Sequence, residues 1–244
     1  MEREFPPPPR AGLQASPLVD LLAHLKLGPA ERPAAPPAFV EGLGRWLGWK
    51  EAIPLSAVLQ AAPAAARPAR PARVSIAVLA SLEREFDRVR TTLSQAIADD
   101  KPTAREDGHS FLPFRRRCFS LQQAMDAALD PLRAQLRAAV ARVSPAQAQL
   151  AALDAALASA LGPRQQALLA QTPVLLEKHF TRLRSAAQTS DTPWLPRFRH
   201  DMQQLLLAEL DLRLQPASGL LATLQQHAQA MQPGPERTHD QASL

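Results

Sequence analysis

Apolar positions recur every third or fourth residue along most of the chain, and this spacing predicts helices. The clearest run starts at Ser75. Leu79, Leu82, Phe86, Val89, Leu93 and Ile97 form one stripe. A second stripe, Phe111, Phe114, Cys118, Leu121, Met125, Leu129, Leu132, Leu136, Val140 and Val143, falls within roughly 100° around a helix axis. Pro131 lies off that face and is expected to kink the helix. Ser144-Pro145 reads as a cap followed by proline at the first helical position. Leu150, Leu153, Leu157 and Leu161 then continue the spacing to Gly162, and the short turn at Ser144 predicts an antiparallel hairpin. The segment 163–188 reads as a further helix bent at Pro173, with Leu168, Leu169, Leu175, Leu176, Phe180 and Leu183 as its stripe. Thr192 is the expected cap of the segment 194–215. Its "ELDLRL" alternates like a strand, but Leu, Glu and Arg favour helix. Pro216 is expected to end it, leaving "GLLATLQQHAQAM" as a last short helix.

The N-terminal part is patterned differently. Residues 1–15 are Pro-rich and read as a flexible N-terminus. Ser16-Pro17 opens a short helix closed by Gly28. Residues 39–62 read as two short helices broken at Pro54, with Trp46 and Trp49 three apart on one face. The expected organisation is a small helical unit (16–62), a Pro/Ala/Arg linker (63–74), an antiparallel helical bundle (75–231) and a disordered tail (232–244). The fold class is all-α, an antiparallel bundle of long kinked helices preceded by the small N-terminal unit. Stripes this long must be buried within the chain or against a second copy, so a homo-oligomer is an open expectation.

Composition agrees with that class. Hydrophobic residues make up 46% of the 244, aromatics 5%, and tyrosine is absent. The 24 prolines gather in "PPPP", "ERPAAPPA" and "RPARP" or at helix starts. One cysteine excludes an internal disulfide and a cysteine-rich metal site. No run approaches about 18 uninterrupted apolar residues, so no membrane span is expected. The N-terminus lacks a basic-then-apolar signal pattern, making the cytoplasm the default location, with peripheral attachment to an inner membrane left open.

Charge raises the nucleic-acid question. The net charge is +5, and all but four of the 28 basic residues (Lys26, Lys50, Lys101, Lys178) are arginine. Arg67, Arg70 and Arg73 would form one basic ridge in a polyproline II linker. Arg115, Arg116 and Arg117 form a second basic group. Together they define an alternative function, binding of nucleic acid or anionic membrane, whose affinity would fall steeply with salt. The acidic residues are interspersed with the arginines, which reads more readily as a solvated surface, so nucleic acid is the less favoured partner.

Candidate chemistry is thin. Cys118 sits inside its stripe, with Arg116 and Arg117 pointing away and Arg115 at the edge. It reads as a small buried hydrophobe; the sharper reading is a thiol whose pKa the arginines lower. His179 lies on an apolar face and reads as a satisfied core residue. His200 and Asp201 are neighbours, so they point about 100° apart on a helix. Gly42, Gly44 and Gly48 lack the spacing of a nucleotide loop, and no metal motif appears. No cofactor or catalytic residue is therefore expected. Glu209 falls in the middle of the stripe Trp194, Leu195, Phe198, Met202, Leu205, Leu206 and Leu212, with Arg213 one turn on. The plain reading is an i,i+4 ion pair on the core edge. The sharper one is a polar anchor that fixes packing register or meets a partner chain.

Several segments, "FVEGLGRWLGWKEAIPLSAVL", "PFRRRCFSLQQAMDAALDPLRAQLRAAV", "SPAQAQLAALDAAL", "LLEKHFTRLR" and "LLLAELDLRLQPASGLL", together resemble an uncharacterised proteobacterial family known as domain of unknown function 3348. The resemblance covers most of 16–224 and carries no catalytic residue. The resemblance implies genes encoded beside those of proton-channel proteins of the MotA/TolQ/ExbB type and OmpA-like peptidoglycan-binding proteins, and hence a cytoplasmic helper of an envelope complex. The expected function is accordingly a non-catalytic helical adaptor or assembly factor. Its partner is expected to be a protein, with an inner-membrane proton-channel complex as the candidate. Trp46, Trp49, Arg67, Arg70, Arg73, Arg115 to Arg117, Glu209 and Arg213 are the expected contact residues.

Overall fold

The computed structural model describes residues 16–27, 47–60, 75–99, 101, 103, 106, 108–187 and 193–231. Every regular element among them is helical: α1 (Pro17–His24), α2 (Trp49–Gln60), α3 (Ile76–Ala98), α4 (Leu112–Ala141), α5 (Pro145–Leu169), α6 (Thr172–Ala187) and α7 (Trp194–Ala230). The protein is an all-α bundle. At its centre α4 lies along α7, and α3 and α6 each pack against both. On its other side α4 carries α5, and α2 lies on α5. The first two helices find different seats, since α1 packs against α7 and not alongside α2's support.

The stripes account for this packing. All ten positions of the α4 stripe are buried, none more than 7% exposed. In α3, Phe86, Val89, Leu93 and Ile97 are buried, and Leu79 and Leu82 pack half-buried against the core. At the α4/α6/α7 junction Phe111 and Phe114 stack, and both meet Phe180 and Phe198 edge to face or tilted. Phe114–Phe198 and Phe180–Phe198 have ring centroids 5.2 and 5.1 Å apart. Trp194 closes this cluster over Phe180. Gly108 has φ 81°, and a Cβ there would come within 2.7 Å of the Trp194 ring, so the turn before α4 needs glycine on both counts.

The expected α4/α5 hairpin forms at Ser144, whose Oγ accepts a bond from the Gln147 amide at 3.2 Å. Asp154 of α5 then receives Arg133 Nε and Nη2 at 3.0 and 2.6 Å and Arg137 Nε at 2.9 Å. Thr192 and Gly28 lie outside the described residues. Ser16 precedes Pro17 as expected, but its side chain makes no capping bond.

Prolines were poor guides to helix ends. α2 runs through Pro54, α5 through Gly162-Pro163 and α7 through Pro216. The break expected after Gly162 falls instead at Ala170-Gln171. Pro173 is the second residue of α6, where a missing N–H leaves no intrahelical bond unmade. In α7 the apolar stripe stays in phase across the proline: Leu210, Leu214, Ala217, Leu220, Leu221 and Leu224 are all buried. Each buried leucine is worth about 1.5–3 kcal/mol. Together they outweigh the roughly 3 kcal/mol cost of an interior proline. The α5 stripe is only half realised. Leu150 is 41% exposed and Leu168 57%, and of this helix only Ala151 and Leu169 are buried. Lying between α4 and α2, α5 divides its apolar surface between two neighbours instead of gathering it on one.

Candidate functional site

Glu209 is fully buried, which corrects the reading of an ion pair on the core edge. Its carboxylate lies where α4, α7 and the start of α6 converge. Gln122 Nε2 donates to Oε1 and Oε2 at 3.0 and 3.1 Å, and also to the Leu169 carbonyl at 3.0 Å. Thr172 Oγ1 donates to Oε2 at 3.2 Å. Arg213 donates to Oε1 from Nε at 2.9 Å and from Nη2 at 2.7 Å. Arg213 Nη1 in turn holds Asp126 of α4. The carboxylate also sits at the N-terminal end of α6, the end that favours negative charge. A buried charge costs several kcal/mol unless paired and hydrogen-bonded, and here both conditions are met. Glu209 therefore fixes the register of α4, α6 and α7 from the interior, out of reach of any partner docking on the surface.

A cleft of about 350 Å³ opens beside this network, with Asp126, Asp130, Arg133, Ser159 and Arg213 among its walls. Its arginines already have partners: Arg133 is on Asp154 and Arg213 on Glu209 and Asp126.

Cys118 and His179 are both turned inward. Cys118 is fully buried. Burial, with a smaller contribution from the Glu209 charge, pushes its thiol up to about 12 against the opposing pull of Arg213. A thiol activated by the three arginines is thus ruled out by geometry. His179 is 2% exposed and bonded at both ring nitrogens, with Asp201 Oδ2 2.7 Å from Nε2 and Arg182 Nη2 2.7 Å from Nδ1. Among the described residues no group of His, Cys, Asp and Glu is placed to hold a metal ion.

Two of the three consecutive arginines are engaged inside the molecule. Arg115 pairs with Glu177 of α6 and lies over the Phe111 ring. Arg117, expected to point away, turns onto the C-terminus of α3. It donates to the Ala96 carbonyl and, at 3.2 Å, to that of Asp99, carbonyls that the helix end leaves without partners. Arg116 is exposed.

Trp49 is 84% exposed. It stands with Ile53 (57% exposed) and Ala57 on the open side of α2, along a shallow groove of about 450 Å³. Leu59 is exposed at the edge of the same face. The opposite side of α2 buries Leu55 and meets α5, where Gln149 Nε2 donates to the Val58 carbonyl at 3.2 Å. Trp46, Arg67, Arg70 and Arg73 lie outside the described residues.

Sequence reasoning missed Gln122, Thr172 and Asp126 around Glu209, and Asp201 and Arg182 around His179. The only local signal was polarity beside a stripe, as for Gln122 next to Leu121.

The geometry defines a helical bundle locked by an internal charge network, with one apolar helix face left open. The chain belongs to the family described as protein of unknown function, DUF3348, whose profile matches residues 6–226. No curated protein matches the chain, and no solved structure does. Among the described residues no helix is long and apolar enough to cross a membrane.

Proposed function

We propose that the protein is a non-catalytic helical adaptor that receives an amphipathic helix of a protein partner on the open face of α2. The observation that carries this reading is the exposure of Trp49 beside Ile53. An indole and an isoleucine together in water are unfavourable by several kcal/mol relative to burial. Within α2 only Leu55 is buried, so packing in the bundle gives Trp49 no role. Tryptophan is enriched among residues that anchor interfaces, and helix-in-groove recognition uses apolar anchors at this i, i+4 spacing. The inward placement of Cys118 and His179 supports a binding role over a catalytic one. The partner class that the family resemblance implies, an inner-membrane proton-channel complex, is part of the proposal.

A photo-crosslinking amino acid at position 53, incorporated in the native cell, tests it. The expected result is a discrete adduct with another protein, lost on Trp49→Asp. An adduct only with a second copy of this chain would replace the adaptor reading with self-association. No adduct, or adducts only with nucleic acid, would overturn it.

A further inference from the structure

We propose that His179 is a proton-operated latch that holds α1 on the bundle and releases it on acidification. The latch is a chain of three hydrogen bonds. Asp201 Oδ2 of α7 lies 2.7 Å from His179 Nε2, Arg182 Nη2 lies 2.7 Å from His179 Nδ1, and Arg182 Nη2 donates to the Leu25 carbonyl at 2.6 Å. Leu25 is the C-cap of α1, so one guanidinium ties the end of α1 to the histidine.

The bonding fixes the protonation state. A guanidinium can only donate, so Nδ1 must accept and carries no proton. Nε2 then bears the single ring proton and donates it to Asp201. His179 is neutral whenever this arrangement is intact. A second proton would have to go on Nδ1, where it would face the N–H of Arg182, donor against donor and cation against cation. Arg182 is on the exposed side of α6 and can swing into solvent, which breaks its bond to Leu25. Asp201 would keep its hold on the imidazolium.

Charged groups reach the ring from more than one element. α7 presents Asp201, which favours the protonated ring, and Arg197, which opposes it; α6 itself adds Arg182, which also opposes it. α4 brings Arg115, already paired with Glu177. α1 contributes the Leu25 carbonyl, and its own titratable groups are Asp20 and His24. Burial is the largest influence and, with the two arginines, holds His179 below the ordinary histidine range despite Asp201. In the released state the ring keeps Asp201 but loses the opposing Arg182, so it takes its second proton more readily there than in the docked state. The docked state is therefore favoured at the higher pH and loses ground as pH falls. α1 is eight residues long, too short to persist as a helix once detached. Release would bare the apolar surface that Leu18, Leu21, Leu22 and Leu25 now bury.

Hydrogen exchange by mass spectrometry on the full chain, from pH 7.5 to 4.5 and corrected for intrinsic rates, tests the latch. In the wild type, a peptide spanning 16–27 should exchange at least about tenfold faster at the acid end while a peptide from 198–214 stays protected. His179→Gln should abolish the step, and Arg182→Met should leave α1 exchanging fast at every pH. Should the first variant not fold, the second still decides the matter. Constant protection of α1, simultaneous loosening of α1 and α7, or a step that survives in His179→Gln would each overturn the proposal.

Discussion

Glu209 on α7 and Gln122 on α4 are 87 positions apart in the chain, yet the Gln122 amide donates to both oxygens of the Glu209 carboxylate. This pairing, with Arg213 and Thr172 on the same carboxylate, makes the interior of the bundle specific in register and not merely apolar. Glu209→Ala would leave Arg213 with Asp126 alone and Gln122 with one backbone carbonyl. The expected loss is about 3–5 kcal/mol, the cost of breaking a buried pair, read from the midpoint of urea unfolding. A loss under about 1 kcal/mol, typical of an exposed pair, would show that the carboxylate is solvated.

Cys118 should be inert in the folded protein. A thiol pushed up to about 12 supplies almost no thiolate at pH 8, and its side chain is closed off from solvent. Ellman's reagent should find no reactive thiol in the native protein and one per chain in guanidinium chloride. Prompt reaction of the native protein at pH 8 would contradict the packing around α4.

Asp154 gives the hairpin a pH-dependent component. Burial alone would raise its carboxyl, but hydrogen bonds and attraction from Arg133 and Arg137 outweigh it and hold the group below the usual carboxylate range. An Asp in the unfolded chain titrates near pH 3.9. The ionised pair therefore stabilises the fold above about pH 4 and stops doing so as pH falls through the lower native value. Asp154→Asn should cost about 1.5–3 kcal/mol at pH 7, and the gap from wild type should close between pH 4 and pH 2. A gap independent of pH would assign the effect to packing.

Pro216 interrupts the hydrogen-bond ladder of α7, since it offers no N–H to the Leu212 carbonyl one turn back. Pro216→Ala restores that bond at some cost from a freer unfolded chain. Thermal unfolding should show a gain of about 2 kcal/mol. A decrease would mean that the bundle needs a bend at this position.

Much of this architecture is written locally. The stripes of α3 and α4 predict their buried positions because a single helix face meets a single continuous core, so period and burial coincide. The same logic overreaches in α5, where Leu150 and Leu168 keep the spacing but remain exposed, because this helix has neighbours on two sides. Prolines mislead for a different reason. A local rule predicts a break at Pro216, while the leucines on both sides, in phase, bind the two halves to the same neighbours. Glu209 could be picked out as an oddity in its stripe, but its burial could not, since Gln122, Thr172 and Asp126 arrive from distant segments. The His179–Asp201–Arg182 arrangement was equally invisible, because only folding sets α6 against α7.

The position of α7 has a bearing on synthesis. This helix packs against α1, α3, α4, α5 and α6, and it cannot begin to form until Trp194 has left the ribosome. Until then the nascent chain carries the leucines and phenylalanines of α1, α3, α4 and α6 with their principal counterpart still missing. Biogenesis of this protein should thus draw on chaperones that shield apolar segments during translation.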